Sequence, residues 1–195
     1  MVYSDFFSFK RDYNKRYRLY SEMVKHFGLA DEPLLYLEFG VASGASLKWW
    51  LNANLNEASR FYGFDTFTGL PENWGGFYSQ GDMHHDVPVT SDKRAIFVKG
   101  LFQDTLPRFI DAQKEILVSP RRKLIHMDAD LYSATIFSLS QLYPYIKKGD
   151  IILFDEFNVP LHEFKAYQEF TEAFYIQLKP VAAVNNFYQT AFVVE

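Results

Sequence analysis

Two short apolar runs in this chain end in acids. One, Lys123 to Asp128, closes on Asp128-Ala129-Asp130, and the other, Asp150 to Phe154, closes on Asp155-Glu156. Adjacent parallel strands lie about 5 Å apart, so acids at both carboxyl ends would crowd into one patch. Like charges that close repel unless they are protonated or neutralised by a cation. A hard divalent ion, magnesium, calcium or manganese, prefers such carboxylate oxygens. The chain has no cysteine, which excludes thiolate zinc sites, disulfides and cysteine nucleophiles. The competing reading makes these acids solvated strand ends, with Asp130 capping a helix expected from Ser133.

A second constellation lies upstream. Tyr36 to Ser46 reads Tyr-Leu-Glu-Phe-Gly-Val-Ala-Ser-Gly-Ala-Ser, an apolar strand running into a glycine turn and then a helix. Gly40 and Gly44 would let the backbone approach a ligand, Glu38 would point a carboxylate into the same crevice, and Ser46 would stand by the exposed amides of the helix start. Further on, Tyr62-Gly63-Phe64-Asp65 ends a second strand in an acid suited to a ribose diol, or in a surface turn acid before Thr66. Together they point to an adenosine-containing cofactor. Ala42 takes the second position of the dinucleotide fingerprint, and Gly44 arrives one residue early for the third. A pyrophosphate needs a closer backbone approach than Ala42 permits, so a cofactor without phosphates, such as S-adenosylmethionine, fits better. Phe102, just past Lys99-Gly100-Leu101, is placed either to flank an adenine or to pack in the core.

These residues need a scaffold that gathers strand ends. Strands are expected at Leu34 to Phe39, Arg60 to Asp65, Ala95 to Lys99, Lys123 to Asp128 and Asp150 to Phe154, with a final pair at Lys179 to Val184 and Gln189 to Val194. Helices are expected between them, at Ser46 to Asn54, Gln103 to Ile116 with Pro107 in its first turn, Ser133 to Ile146 and Leu161 to Ile176. Apolar residues spaced by three and four, Tyr13, Tyr17, Tyr20, Met23, Val24 and Phe27, make Lys10 to Phe27 an amphipathic helix with its basic residues facing water. Alternation of short strands with helices calls for a parallel sheet, because parallel strands need crossover connections. The link Asn185 to Tyr188 is too short for a crossover, so the last strand should run antiparallel. The expected architecture is α/β, a seven-stranded mostly parallel sheet with one antiparallel strand near its edge and helices on both faces.

Thr66 to Ser91 is a long interruption rich in Gly, Pro, Trp and His, read as a substrate lid because it follows directly from Asp65. His84 and His85, flanked by Asp82 and Asp86, could supply a base or a metal ligand on closure, although loop histidines are ordinarily solvated. Trp74 could close over a ligand, whereas His126 is expected to be satisfied within its strand and Trp49 and Trp50 to pack in the core.

At 195 residues the chain suits one domain, with residues 1–30 as a helical cap and 66–91 as the lid. A net charge of -4, with the 20 basic side chains scattered outside Lys10 to Arg18 and Arg121 to Lys123, gives a nucleic-acid groove little support. No apolar run reaches membrane-spanning length and no signal core follows Met1, so a cytoplasmic protein that does not bind membrane is expected, with a homo-oligomer left open.

The chain resembles the class I S-adenosylmethionine-dependent methyltransferases, and within them the macrocin O-methyltransferase family. Five ordered blocks carry the resemblance: Leu37 to Ser46, Gly63 to Glu72, Gly100 to Pro107, His126 to Thr135 and Gly149 to Glu156. The blocks Phe-Asp-Thr-Phe-Thr-Gly-Leu-Pro and Asp-Ala-Asp-Leu-Tyr-Ser-Ala-Thr are the family-specific ones. The resemblance implies a Rossmann-like fold, magnesium held by Asp128, Asp155 and Glu156, Asp130 as general base, and Asp65 on the ribose, with Asp128 also bordering the cofactor. Glu156 stands where a second aspartate is frequent in the family. The implied activity is methyl transfer to a hydroxyl of a sugar or similar polyhydroxylated small molecule. The alternatives are a catechol-type acceptor or a non-catalytic cofactor-binding protein. A nicotinamide dehydrogenase is disfavoured by Ala42.

Overall fold

The computed structural model describes residues 1–5 and 12–195. In chain order the first elements are β1 (Tyr3–Ser4), α1 (Lys15–Phe27), β2 (Leu34–Phe39), α2 (Ala45–Ala53), β3 (Arg60–Asp65) and β4 (Ala95–Lys99). Then follow α3 (Phe102–Ala112), α4 (Lys114–Val118), β5 (Arg122–Met127), α5 (Tyr132–Leu142), β6 (Ile151–Phe154), α6 (Glu163–Phe174), β7 (Leu178–Val184) and β8 (Gln189–Val194).

The strands form one sheet in the order β1-β7-β8-β6-β5-β2-β3-β4. β8 runs antiparallel to both its neighbours, while the other pairings are parallel. The sheet therefore has eight strands where seven were expected. The additional one, β1, is two residues long and pairs Tyr3 and Ser4 with Ala182 and Ala183, too short to leave any periodicity in the sequence. The reversed strand follows from the tight Asn185–Phe187 turn, whose three residues adopt positive φ.

Every residue of β2 is buried, because helices cover both faces of the sheet. Leu35, Leu37 and Phe39 face one core with α3, α5 and α6 residues such as Leu106, Leu139 and Phe170. Leu34 and Tyr36 face a second core with Leu19, Tyr20 and Met23 of α1 and Trp50 of α2. This alternation is what aims successive strand-end side chains to opposite sides of the crevice.

Several helix boundaries differ from the expected ones. α1 starts at Lys15, and residues 10–11 of the helix expected there lie outside the described residues. The long helix expected over Gln103 to Ile116 starts at Phe102, which puts Pro107 in its second turn, and breaks at Gln113 (φ -115°), where the chain turns to bury Leu117. α5 ends at Leu142 in a short 3-10 turn, Tyr143–Tyr145, and α6 covers only Glu163–Phe174 of the expected span.

Residues 66–91 form no named helix or strand. Their base is closed by paired backbone bonds, Leu70 N–H to Asp82 O and Gly81 N–H to Leu70 O, both 2.9 Å. Near the middle, Trp74 and Tyr78 bridge antiparallel and stack their rings at 5.0 Å.

Candidate active site

The carboxyl ends of β2, β3, β5 and β6 meet in a cavity of about 320 Å³, within the range of small-molecule sites. It lies where the chain, having added β3 and β4 to one side of β2, crosses back to add β5 on the other, which is where open parallel sheets bind ligands.

The glycine turn forms one wall, with a different division of labour from that expected. Gly40 (φ 92°) lines the cavity, but a Cβ there would lie 1.7 Å from the Asp128 carbonyl oxygen. Its missing side chain admits the neighbouring strand end, which carries Asp128. Gly40→Ala is expected to destabilise the fold by more than about 2 kcal/mol, read as a fall in Tm, because backbone cannot retreat as a flexible side chain can. Gly44 (φ 75°) precedes α2 and packs under Pro88 of the loop, while Ser43 and Ala45 beside it face the cavity. Ser46 lines the cavity too and lies 3.3 Å from the Tyr20 hydroxyl.

Glu38 does not reach the crevice as expected. Its carboxyl is fully buried and hydrogen-bonded to the Tyr36 hydroxyl at 2.7 Å, and burial pushes it up to about 8. Asp65 does line the cavity. Its Oδ2 accepts the Val41 and Ala42 amides at 2.8 Å, and Oδ1 accepts that of Phe67 at 2.7 Å. A carboxylate has about four lone-pair sites, so Asp65 braces the glycine turn and keeps capacity for one hydroxyl donor. Phe102 packs in the core, edge-on to Phe39, and also borders the cavity.

The acids of β5 and β6 converge. Asp128, Asp130 and Glu156 each bring an oxygen within 4.8 Å of the other two, and Asp128 and Asp155 form a second such group with His126. Asp155 and Glu156 are buried, Asp128 and Asp130 partly exposed, and all four line the cavity. Burial raises Asp130 to about 7, with Asp155 and Asp65 adding to it. Burial, then the facing carboxylates, pushes Asp128 and Glu156 well above the usual range. Asp155 goes the other way. Burial opposes its charge, but His126, Arg16 and Gln189 outweigh that and hold it below the usual value. Asp155 Oδ1, Glu156 Oε2 and Glu163 Oε1 are buried with no hydrogen-bond partner among the described residues. Unsatisfied buried carboxylate oxygens are costly, and a divalent cation taking oxygen ligands would relieve them, so the donor set fits such an ion.

Three residues at this cluster were not picked out from sequence as part of it. Arg16 lines the cavity with its Nη1 3.7 Å from Asp155 Oδ2. It had been assigned to a solvated basic face. Its place four residues before Tyr20, on the apolar stripe of α1, is the signal that marks it as inward. Glu163 is fully buried at the start of α6 and accepts the Glu156 amide at 2.9 Å, fixing the turn after β6. His126 is satisfied in its strand, as expected, by the Tyr36 hydroxyl 2.8 Å from Nδ1, and its Nε2 also faces Asp155 Oδ1 at 3.9 Å. By contrast, His84 and His85 are exposed and do not line the cavity, so the structure does not bring them to the acids. The loop reaches the cavity instead through Leu70, Trp74, Tyr78 and Met83.

A seven-strand parallel-type core extended by one short edge strand, with its switch point against a glycine turn, is the class I S-adenosylmethionine-dependent methyltransferase fold. The chain belongs to the macrocin O-methyltransferase (TylF) family, whose model matches residues 15–190. It is accordingly an S-adenosylmethionine-dependent O-methyltransferase. Among solved structures it is similar to the calicheamicin methyltransferase CalS11 (TM-score 0.73, 24% identity, 94% of this chain and 80% of that one). It is also similar to the O-methyltransferase NovP (TM-score 0.61, 20% identity, 92% and 78%). A CmcI structure described with magnesium and S-adenosylmethionine aligns at TM-score 0.58 and 14% identity, over 95% and 73%. At these identities the likeness is one of fold. No protein of curated function matches the chain significantly. No helix among the described residues is long and apolar enough to cross a membrane.

Proposed function

We propose that this enzyme is a divalent-metal-dependent O-methyltransferase acting on a hydroxyl of a sugar or similarly polyhydroxylated small molecule. The observation that carries the metal dependence is the pair of buried carboxylate oxygens after β6, Asp155 Oδ1 and Glu156 Oε2, with no hydrogen-bond partner among the described residues and with Asp128 of the β5 end beside them. The acceptor class rests on relatives: the family is described by a macrocin O-methyltransferase, and CalS11 as a TDP-rhamnose 3'-O-methyltransferase. The CmcI structure described with magnesium lends support to the choice of ion.

Asp128, Asp155 and Glu156 would hold the cation. When bound, magnesium supplies Lewis acidity that lowers the pKa of a ligated hydroxyl, and S-adenosylmethionine supplies an electrophilic methyl. Asp65 would accept a ribose hydroxyl, Phe102 would flank the adenine, and Asp128 would border the cofactor. Asp130, at about 7, is poised to take a proton near neutral pH and lines the same cavity, which favours it as the base over His84 and His85. Leu70, Trp74 and Met83 would exclude water as the loop covers the site, and the approach of an alkoxide to a sulfonium gains most where water is absent.

Methyl transfer to a panel of nucleotide sugars, glycosides and catechols, run with magnesium and with a chelator, tests this reading. Turnover of a sugar hydroxyl that disappears on chelation and returns with magnesium is expected. Undiminished turnover under chelation would overturn the metal dependence, and exclusive use of catechols would overturn the acceptor class.

A further inference from the structure

Behind the acid cluster runs a buried polar chain of which only the last member, Asp155, has a role in the chemistry above. Glu38, Tyr36, His126 and Asp155 are each no more than 2% exposed. The Tyr36 hydroxyl lies 2.7 Å from Glu38 Oε2 and 2.8 Å from His126 Nδ1, and His126 Nε2 stands 3.9 Å from Asp155 Oδ1. The four come from three neighbouring strands, with Glu38 and His126 in register across β2 and β5. Four polar groups removed from water in the middle of a sheet are costly unless they satisfy one another, so their alignment calls for a use.

We propose that His126, itself held by Tyr36 and Glu38, is a positioning residue that orients Asp155 toward the cation. The inference rests on the cation site of the preceding section. Tyr36 has one proton and two acceptors in reach. As the pair stands Tyr36 donates to Glu38 Oε2; a Glu38 that carries its own proton would free Tyr36 to donate to Nδ1 and leave the imidazole proton on Nε2, toward Asp155. The Tyr20 hydroxyl is 3.4 Å from the same Nε2, but it can give its proton to Ser46 Oγ and share the Nε2 proton with Asp155. Oδ2 of Asp155 is met from the other side by Gln189 Nε2 at 3.3 Å and by Arg16. Asp155 Oδ1, with no hydrogen bond of its own among the described residues, is faced by His126 at 3.9 Å, and Oδ2 by Gln189 and Arg16, an arrangement that would set the plane of the carboxylate on cation binding. Outer partners of this kind typically change metal affinity by about 10–100-fold.

The test measures dissociation constants for manganese alone and for S-adenosylhomocysteine alone by calorimetry, in the wild type, His126→Phe, His126→Gln and Tyr36→Phe, with Tm recorded for each. The Phe variant is expected to weaken manganese about 10–100-fold while S-adenosylhomocysteine binding stays within about two-fold. Gln, whose amide can donate from near the Nε2 position, should recover most of that loss, and Tyr36→Phe should fall between. Equal losses for both ligands, with no recovery in Gln, would mean a structural role and overturn the proposal. Unchanged manganese affinity in His126→Phe would overturn it while leaving the metal site standing. A wild type that binds no manganese would remove the metal site itself. Pulsed electron paramagnetic resonance of the manganese-loaded wild type closes the remaining gap, since directly coordinated nitrogen would make His126 a ligand and overturn the positioning role. If the Phe variant does not fold, long-range proton–nitrogen spectra of the wild type decide: a proton on Nε2 supports the chain, and one on Nδ1 alone overturns it.

Discussion

Asp155→Ala is expected to lower kcat/KM by about 10³-fold or more, the largest single effect in the molecule, while binding of S-adenosylhomocysteine stays nearly intact. The magnitude follows from two losses. Lewis-acid stabilisation of a developing alkoxide amounts to several kcal/mol, and each 1.36 kcal/mol is a factor of ten. The substitution also strips Arg16 of its nearest carboxylate, leaving a guanidinium in an enclosed acid cluster with its Nε already unpartnered. Burial works against that guanidinium, and Asp155 is the foremost of the charges that hold it protonated. Cofactor binding should be spared because the glycine turn is braced by Asp65, not by Asp155. Steady-state kinetics alongside calorimetry check both halves. Full turnover in the variant with chelator present would end the metal reading.

Asp130→Asn is expected to reduce kcat by about 10²–10⁴-fold, the range for loss of a positioned base, or roughly 3–5 kcal/mol of barrier. The pH profile carries the sharper signature. Asp130 must be ionised to accept a proton, and burial raises it to about 7 in the metal-free site, so activity of the metal-loaded wild type should rise with pH along a limb at or below that value. A bound divalent cation favours the charged form, so raising magnesium should move the limb to lower pH. The same raised value has a stability consequence with the opposite slope. The folded protein keeps a proton on Asp130 that the unfolded chain releases near 3.8, so without metal the group's contribution is complete below that value and is lost as pH rises through about 7. Asp130→Asn should flatten this decline in Tm. A variant with normal kcat and an unaltered limb would take the base role away from Asp130.

Much of this site could be read before the fold was known, for physical reasons that differ by residue. β2, β3, β4 and β8 fell on their expected bounds because each is a run of apolar residues interrupted by turn-forming ones. Acids directly after such runs must lie at strand ends, so Asp65, Asp128, Asp130, Asp155 and Glu156 were legible as a crevice. Glu38 was misplaced because a strand-end acid can turn either way, and only the Tyr36 hydroxyl two residues back shows which way it goes. Gly40 was correctly singled out for the wrong neighbour, since the approach of Asp128's carbonyl comes from a strand nearly ninety positions along the chain, roughly the span of two crossover units. Arg16 and Glu163 escaped because charged residues usually face water, and what draws them inward is a cluster assembled from other elements. The loop's contribution to the cavity was legible in Trp74 and not in Tyr78 or Met83, because residues 66–91 follow no period from which inward positions could be counted.

Pro88 resting on Gly44 has a kinetic consequence. With its Cγ where a Cβ at position 44 would be 2.9 Å away, the long loop rests across the start of α2, over the glycine turn that forms one wall of the cavity. Release of a nucleoside thioether along that side is expected to require this segment to lift, and the off-rate of S-adenosylhomocysteine in rapid-mixing experiments checks it. Weakening the latch, for instance with Pro88→Gly, would then shorten the residence of product even though no reacting atom is touched.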